Sequence, residues 1–340
     1  MTSVYDAAAL EALPKELRFP AESVRRLRNR LFKRFLPDSL VTNDFPGLQQ
    51  VRLHCLELSE RYDSVIDGAS KLLFQTETGT FIETVILRIA SGRTTLCLSS
   101  QVGCAAACEF CATGHMGVAQ NLTVAQILDQ VVQAGQLLTT EQRLLHNIVF
   151  MGMGEPFHNE QNLFEAIECL TDSRQFARSP SSLLISTVGI PEAMIRFAQR
   201  FHNVNLALSL HSVDQEIRRS IIPLAGKYQL PELKRAITEI NRLQKQHVML
   251  EYLMLANVND SPDHARALAA WVQDLSVHIN LIPFNPIADA PHLQGSSPEV
   301  IRQFSDSLKH AGLKVTTRYS LGNDISAACG QLVRKRDASE

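Results

Sequence analysis

From about residue 77 onward, short apolar runs alternate with longer stretches whose apolar residues recur at helical spacing. The runs lie at 95–99, 147–151, 183–187, 204–210, 248–255 and 279–284. The amphipathic stretches lie at about 123–138, 160–171, 191–201, 230–245, 261–275 and 297–311. A run of four to eight apolar residues suits a buried strand, and a three-to-four-residue period suits a helix with one buried face. Six such repeats predict an α/β fold with a parallel sheet, open or barrel-like. Ligands of such sheets sit at the carboxyl ends of the strands. Residues 1–76 read as helical, with Val24, Leu27, Leu31 and Phe35 on one face and a break near Asp67-Gly68.

Charge adds one feature. Between Lys15 and Phe35, eight basic residues face two acidic ones, a local +6 in a chain of net −2. Arg25, Arg26, Arg28, Arg30, Lys33 and Arg34 fall mostly opposite the apolar face. They form either a helix that meets nucleic-acid phosphates or an ordinary solvated face. Composition is that of a folded globular chain, 45% hydrophobic and 20% charged. With a single tryptophan, Trp271, aromatic stacking platforms are not prominent. No apolar stretch reaches the roughly 18 residues of a membrane span, and the amino terminus lacks a secretory pattern. A cytoplasmic protein with no membrane partner is expected.

Seven cysteines, an odd number, argue against a secreted disulfide framework. Three are clustered in Cys104-Ala-Ala-Ala-Cys108-Glu-Phe-Cys111, just after the first predicted strand. Thiolates suit zinc or an iron–sulfur cluster. Structural zinc wants a fourth ligand, and His115 does not complete such a pattern. Three ligands for a four-iron cluster leave one iron open to a substrate. Polar residues stand at the later strand ends: Gly154-Glu155 after the second, Ser186 on the third, Ser209-Leu210-His211 on the fourth and Asn285 after the sixth. Each alone suits a satisfied loop; together they can line one ligand. Cys55 and Cys169 sit in amphipathic patterns and read as small buried hydrophobes. Cys97 and Cys329 fit that reading less well, Cys329 lying among small residues near the carboxyl terminus.

The CxxxCxxC spacing, with Phe110 before the last cysteine, resembles the radical S-adenosylmethionine superfamily. The segment from Leu96 to Cys104, with Phe150-Met-Gly-Met-Gly-Glu-Pro156, Ser209-Leu-His211, Asn280-Leu-Ile-Pro-Phe-Asn-Pro286 and Ala327-Ala-Cys-Gly-Gln-Leu332, resembles the RlmN/Cfr family of RNA methyltransferases. That likeness runs from about 80 to 332. It implies a partial (β/α)6 radical-SAM barrel over 77–318, a small helical RNA-holding domain over 1–76, and a segment, 319–340, carrying a methyl-accepting cysteine. It implies a [4Fe-4S] cluster on Cys104, Cys108 and Cys111. Two S-adenosylmethionine molecules would be used per turnover, held by Gly154, Glu155, Ser186, Ser209, Leu210, His211 and Asn285. By the same resemblance Cys329 forms S-methylcysteine, Cys97 resolves a protein–RNA adduct through a transient disulfide, and Glu83 accepts the ring proton. The alternative reading of Glu83 is a strand glutamate on the surface. The implied substrate is an adenosine of 23S ribosomal RNA, at carbon 2 or carbon 8, with tRNA as an alternative. The implied reductant is flavodoxin or ferredoxin, and the implied state is a monomer. Leu321, before Gly322, leans towards Cfr-like members, because housekeeping members tend to carry a basic residue there. Two other outcomes stay open: a radical enzyme that does not methylate, and an iron–sulfur RNA-binding protein without turnover.

Overall fold

The computed structural model describes residues 1–117 and 120–332. Six of the strands match the six apolar runs: β4 (Thr94–Cys97), β5 (Asn147–Phe150), β6 (Leu183–Thr187), β7 (Asn205–Ser209), β8 (Val248–Met254) and β9 (Val277–Pro283). In the same sheet three strands precede them, β1 (Leu56–Asp63), β2 (Ala69–Thr76) and β3 (Phe81–Arg88), and β10 (Val315–Thr317) follows. All ten lie in one sheet, in chain order. Pairing is antiparallel from β1 to β4 and parallel from β4 to β10. Among the described residues β10 does not pair back to β4, so the sheet stays open.

The helices are α1 (Ala7–Leu17), α2 (Glu22–Arg28), α3 (Val124–Thr140), α4 (Glu160–Thr171), α5 (Pro191–Arg200), α6 (Gln215–Ile221), α7 (Leu230–Leu243), α8 (Pro262–Trp271) and α9 (Pro298–His310). Start signals are local: Thr123 caps α3 with a box completed by Gln126, and Ser297 caps α9. Ile148, Ile185, Leu206, Leu250 and Ile279 of the strands and Ile127, Ile167, Met194, Phe197 and Ile237 of the helices share one buried core. No described helix is long and apolar enough to cross a membrane.

The structure departs from the sequence reading over 56–76. The sequence pattern puts those residues in a helical segment; they form β1 and β2, an extension of the main sheet. The reason is burial. β2 is covered on both faces, so its Ala-Ser-Lys-Leu-Leu-Phe shows no strand alternation. β1 is an edge strand with only Leu56 buried, so it shows none either. Helix holds for α1 and α2, the latter running on as a π-helical turn over Asn29–Lys33. Residues 333–340 of the expected carboxyl-terminal segment lie outside the described residues.

After β10 the chain crosses from one edge of the parallel strands to the β1–β2 hairpin. Gly322 N donates to Asp67 Oδ2 (2.8 Å), and Asp324 accepts from Ser64 Oγ (2.8 Å) and Val65 N (3.0 Å). This crossing brings Cys329 to cavities lined by residues of β4 to β8.

Candidate active site

The loop after β4 is built against the turn after β5. Ser100 N and Gln101 N both donate to Met153 O (2.9 and 3.1 Å), and Glu155 N donates to Gln101 Oε1 (2.9 Å). A Cβ on Gly152 would lie 2.6 Å from Leu98 O, and Gly154 has φ +102° against the Gln101 side chain. Both positions therefore require glycine. The loop then turns through Ala107 (φ 53°) and sets Cys104, Cys108 and Cys111 around one cavity of about 130 Å³.

Burial pushes all three thiols up, Cys104 to about 12, although the N–H groups of Ala106 and Ala107 point at Cys104 and those of Thr113 and Gly114 at Cys111. Buried thiols that collect backbone donors need positive charge to become thiolates, and iron would supply it. Among the described residues no three His, Cys, Asp or Glu side chains gather around one metal-ion position.

Gly154, Glu155, Ser186, Ser209 and His211 line the same cavity. Glu155 is buried; its Oε1 accepts from Phe157 N (3.0 Å) and Thr187 Oγ1 (2.7 Å), its Oε2 from Val188 N (2.9 Å). Burial outweighs those donors and lifts its carboxyl to about 6. His211 (φ 59°) accepts from Leu253 N at Nδ1 (3.0 Å), which leaves the proton on Nε2. Burial, with Arg218 nearby, drops it to about 3, so the ring is neutral. Phe110 meets that ring edge-on at 4.8 Å.

Two predicted positions lie elsewhere. The Leu210 side chain belongs to the main core and does not line the cavity. Asn285 Nδ2 donates to Cys329 O and Ser320 Oγ (3.0 Å each), so this side chain fastens the Cys329 loop.

Cys329 lines this cavity and also a larger one of about 460 Å³, which it shares with Cys97, Leu321 and Arg318. Cys329 reaches solvent through these openings, yet protein encloses it and pushes its thiol up to about 11. Burial takes Cys97 to about 12, with Cys329 adding to the rise. Arg318 opposes both shifts. Gly330 ties this segment to the cysteine loop through Ala112 N to Gly330 O (2.7 Å).

Glu83 is on β3 but is not a surface glutamate: it is 3% exposed and ion-paired with Lys71 Nζ at 3.1 Å. It shares a face of the sheet with Val85, which is paired with Cys97, but lines a third cavity, of about 340 Å³. Cys55 and Cys169 are partly buried and stand outside these cavities, as small hydrophobes would.

Arg218, Arg318, Lys71 and Glu251 escaped the sequence reading. Only Glu251 had a signal, a lone carboxylate inside the apolar run 248–255. Arg218 is indistinguishable in sequence from its exposed neighbour Arg219.

Residues 98–269 match the Radical SAM superfamily. A protein of Rhodopirellula baltica named "Probable RNA methyltransferase" is 58% identical over 98% of this chain and 88% of its own length. A Thermus thermophilus protein named "Probable dual-specificity RNA methyltransferase RlmN" is 39% identical, covering 96% and 93%. The crystal structure of a radical SAM methyltransferase from Sphaerobacter thermophilus superposes with a TM-score of 0.88 at 34% identity, covering 97% of this chain and 99% of that one.

Proposed function

Because the chain belongs to the radical SAM superfamily and, within it, to the RlmN family of RNA methyltransferases, we propose that it methylates a ring carbon of an adenosine in 23S ribosomal RNA, using Cys329 as the methyl carrier. The observation that carries this reading is the position of Cys329, which lines both the cavity of the cysteine triad and the cavity of Cys97. Cys104, Cys108 and Cys111 hold the [4Fe-4S] cluster. Gly154, Glu155, Ser186, Ser209 and His211 seat S-adenosylmethionine, with the backbone of Leu210 nearby and Asn285 acting through the Cys329 loop. The bound pair supplies a 5′-deoxyadenosyl radical, which can take a hydrogen from an unactivated methyl group.

The ring carbons at issue are electron-poor and do not displace a sulfonium methyl group; a thiolate does. Cys329 therefore takes the methyl from one S-adenosylmethionine, and a second is consumed in activating it. The activated S-methyl carbon of Cys329 then bonds to the adenine ring, Glu83 removes the ring proton, and Cys97 attacks the Cys329 sulfur. That attack forms the Cys97–Cys329 disulfide as the bond from the Cys329 sulfur to the transferred carbon breaks, and that carbon takes a proton to become the methyl group; the odd electron of the adduct would be taken up by the cluster, a flavodoxin- or ferredoxin-type carrier would set the cluster's reduced state, and a disulfide reductant completes the cycle. The amino-terminal helices hold RNA, the sheet from β1 to β10 with its helices forms the catalytic core, and the segment after Arg318 carries the acceptor cysteine; the enzyme works as a cytoplasmic monomer. The dual specificity in the relatives' names supports a second RNA, tRNA, at the same site. Leu321, at which Cfr-like members depart from housekeeping ones, lines the cavity shared by Cys97 and Cys329.

The test is anaerobic reconstitution with iron, sulfide, S-adenosylmethionine, reductant and unmodified RNA, followed by mass spectrometry of nucleosides. The reading expects 2-methyladenosine or 8-methyladenosine, and the product names the carbon. 5′-Deoxyadenosine without either nucleoside, on rRNA and on tRNA, overturns the substrate.

A further inference from the structure

Glu251 is a buried carboxylate that the scheme above leaves unused. It sits on β8, in register with Ser209 of β7 and Asn280 of β9, and is 2% exposed. Its Oε2 accepts from Asn280 Nδ2 (3.0 Å). Thr316 Oγ1 donates to Asn280 Oδ1 (3.0 Å), which turns the amide so that its NH₂ faces Glu251. Glu251 Oε1 is buried and has no hydrogen-bond partner. A buried carboxylate oxygen left unmatched beside a reaction cavity costs stability, and such groups concentrate where a proton is moved.

Glu251 lines the cavity that holds Cys329 and the cysteine triad. The two other carboxylates of the region are already engaged. Both oxygens of Glu155 accept hydrogen bonds. Glu83 is paired with Lys71 and lines a different cavity. Burial raises both the Glu251 carboxyl and the Cys329 thiol, and the Glu251 charge adds to the rise at Cys329; Arg318, which lines the cavity as well, opposes both.

We propose that Glu251 is the proton acceptor that converts the Cys329 thiol into the methyl-accepting thiolate. The proposal rests on the reading of Cys329 as the methyl carrier. The thiol proton passes to Oε1. The freed lone pair forms the Cys329 S–CH₃ bond as the sulfonium S–CH₃ bond breaks, and that bonding pair stays on the departing sulfur, giving S-adenosylhomocysteine. A carboxylate and a sulfonium are thereby replaced by a carboxylic acid and two neutral thioethers. The step removes charge from a buried cavity, which favours it there.

The test needs no RNA. Protein with unmethylated Cys329 is given S-adenosylmethionine labelled with CD₃, and label on the Cys329 peptide is followed by mass spectrometry. Glu251→Gln should slow labelling about a hundredfold near neutral pH and recover as pH is raised towards about 11, where the Cys329 thiol ionises without a protein base. It should keep the cluster chromophore and bind S-adenosylhomocysteine as the unaltered protein does. Glu251→Asp should fall between the two. Labelling by Glu251→Gln within about threefold of the unaltered rate, or a deficit that raised pH does not repair, overturns the proposal. Should Glu251→Gln fail to fold, Asn280→Ala replaces it: a slower, pH-recoverable labelling supports the assignment and an unchanged rate overturns it. No label in the unaltered protein would instead remove the methyl-carrier reading itself.

Discussion

The side chain of Arg218 has no exposed surface, and among the described residues it is ion-paired with no carboxylate. Its Nε donates to Leu210 O (3.1 Å) and its Nη2 to Val188 O (2.5 Å), carbonyls just beyond β7 and β6. Burial brings its guanidinium down to about 10, with Cys108 holding it up. Arg218→Met should leave those carbonyls unpaired and cost about 3 kcal/mol of stability, read as a lowered thermal midpoint. Arg218→Lys should recover only part, because one ammonium cannot reproduce a planar fork. Retained stability in the methionine variant would return Arg218 to an incidental burial. Cys97 makes a sharper residue-level case. Since Cys97 and Cys329 face one cavity beside Arg318, Cys97→Ala should trap a protein–RNA adduct that survives denaturation, visible as a gel shift. Methylation that continues without an adduct would remove the resolving role. The gathering of Cys104, Cys108 and Cys111 around one cavity is legible in their close spacing, because so short a loop keeps its side chains together. Arg218 and Arg318 are silent in sequence, since nothing local distinguishes an arginine bound to distant carbonyls from one in solvent.

At the scale of elements, the six parallel strands and their helices are readable because each buries a face of fixed period. The β1–β3 extension is not, because β2 is covered by neighbours that no local pattern announces. The same holds for the join between the amino-terminal helices and the sheet. Asp129 of α3 is buried and accepts from Tyr5 Oη (2.7 Å), Cys55 N (2.7 Å) and Leu56 N (2.8 Å). His54 bridges it to Asp38, with Nδ1 2.7 Å from Asp129 Oδ1 and Nε2 3.0 Å from Asp38 Oδ1. Burial alone would lower this imidazole; two carboxylates outweigh it and hold the group at about 9. A raised histidine contributes stability that is complete below its unfolded value near 6.5 and disappears as pH climbs through about 9. The difference in stability between the unaltered protein and His54→Gln should therefore be on the order of 2 kcal/mol at neutral pH and shrink towards zero above about pH 9.5. Thermal melts at several pH values read it directly, and a pH-independent difference would mean the bridge acts through shape alone.

Across the whole molecule, that latch and the packing of Phe32 on Phe176, rings stacked at 4.7 Å, make the amino-terminal helices one body with the catalytic sheet. Their basic residues are then held at a fixed offset from the mouth near Cys97. The stripe is less uniform than its sequence suggests: Arg28 is buried against Glu11 (2.8 Å), and Arg30 donates to Asn43 O (2.6 Å). Arg25 is paired with Glu22. Arg26 and Lys33 remain exposed on a groove of about 570 Å³ that also takes in Arg174. Glu11 and Glu22 also line the groove, so its five basic residues exceed its acids by three, a local excess in a near-neutral chain that favours a polyanion at that place. Removing one phosphate-binding cation should flatten the slope of log affinity against log salt by roughly 0.7 to 0.9. Arg26→Glu with Lys33→Glu should therefore weaken RNA binding and reduce that slope by about 1.5 or more. Methyl loading of Cys329 without RNA should be unchanged, since neither residue reaches the catalytic cavities. An unaltered slope would make the groove a solvated helix face, and RNA would have to be held at the rim of the Cys97 cavity alone.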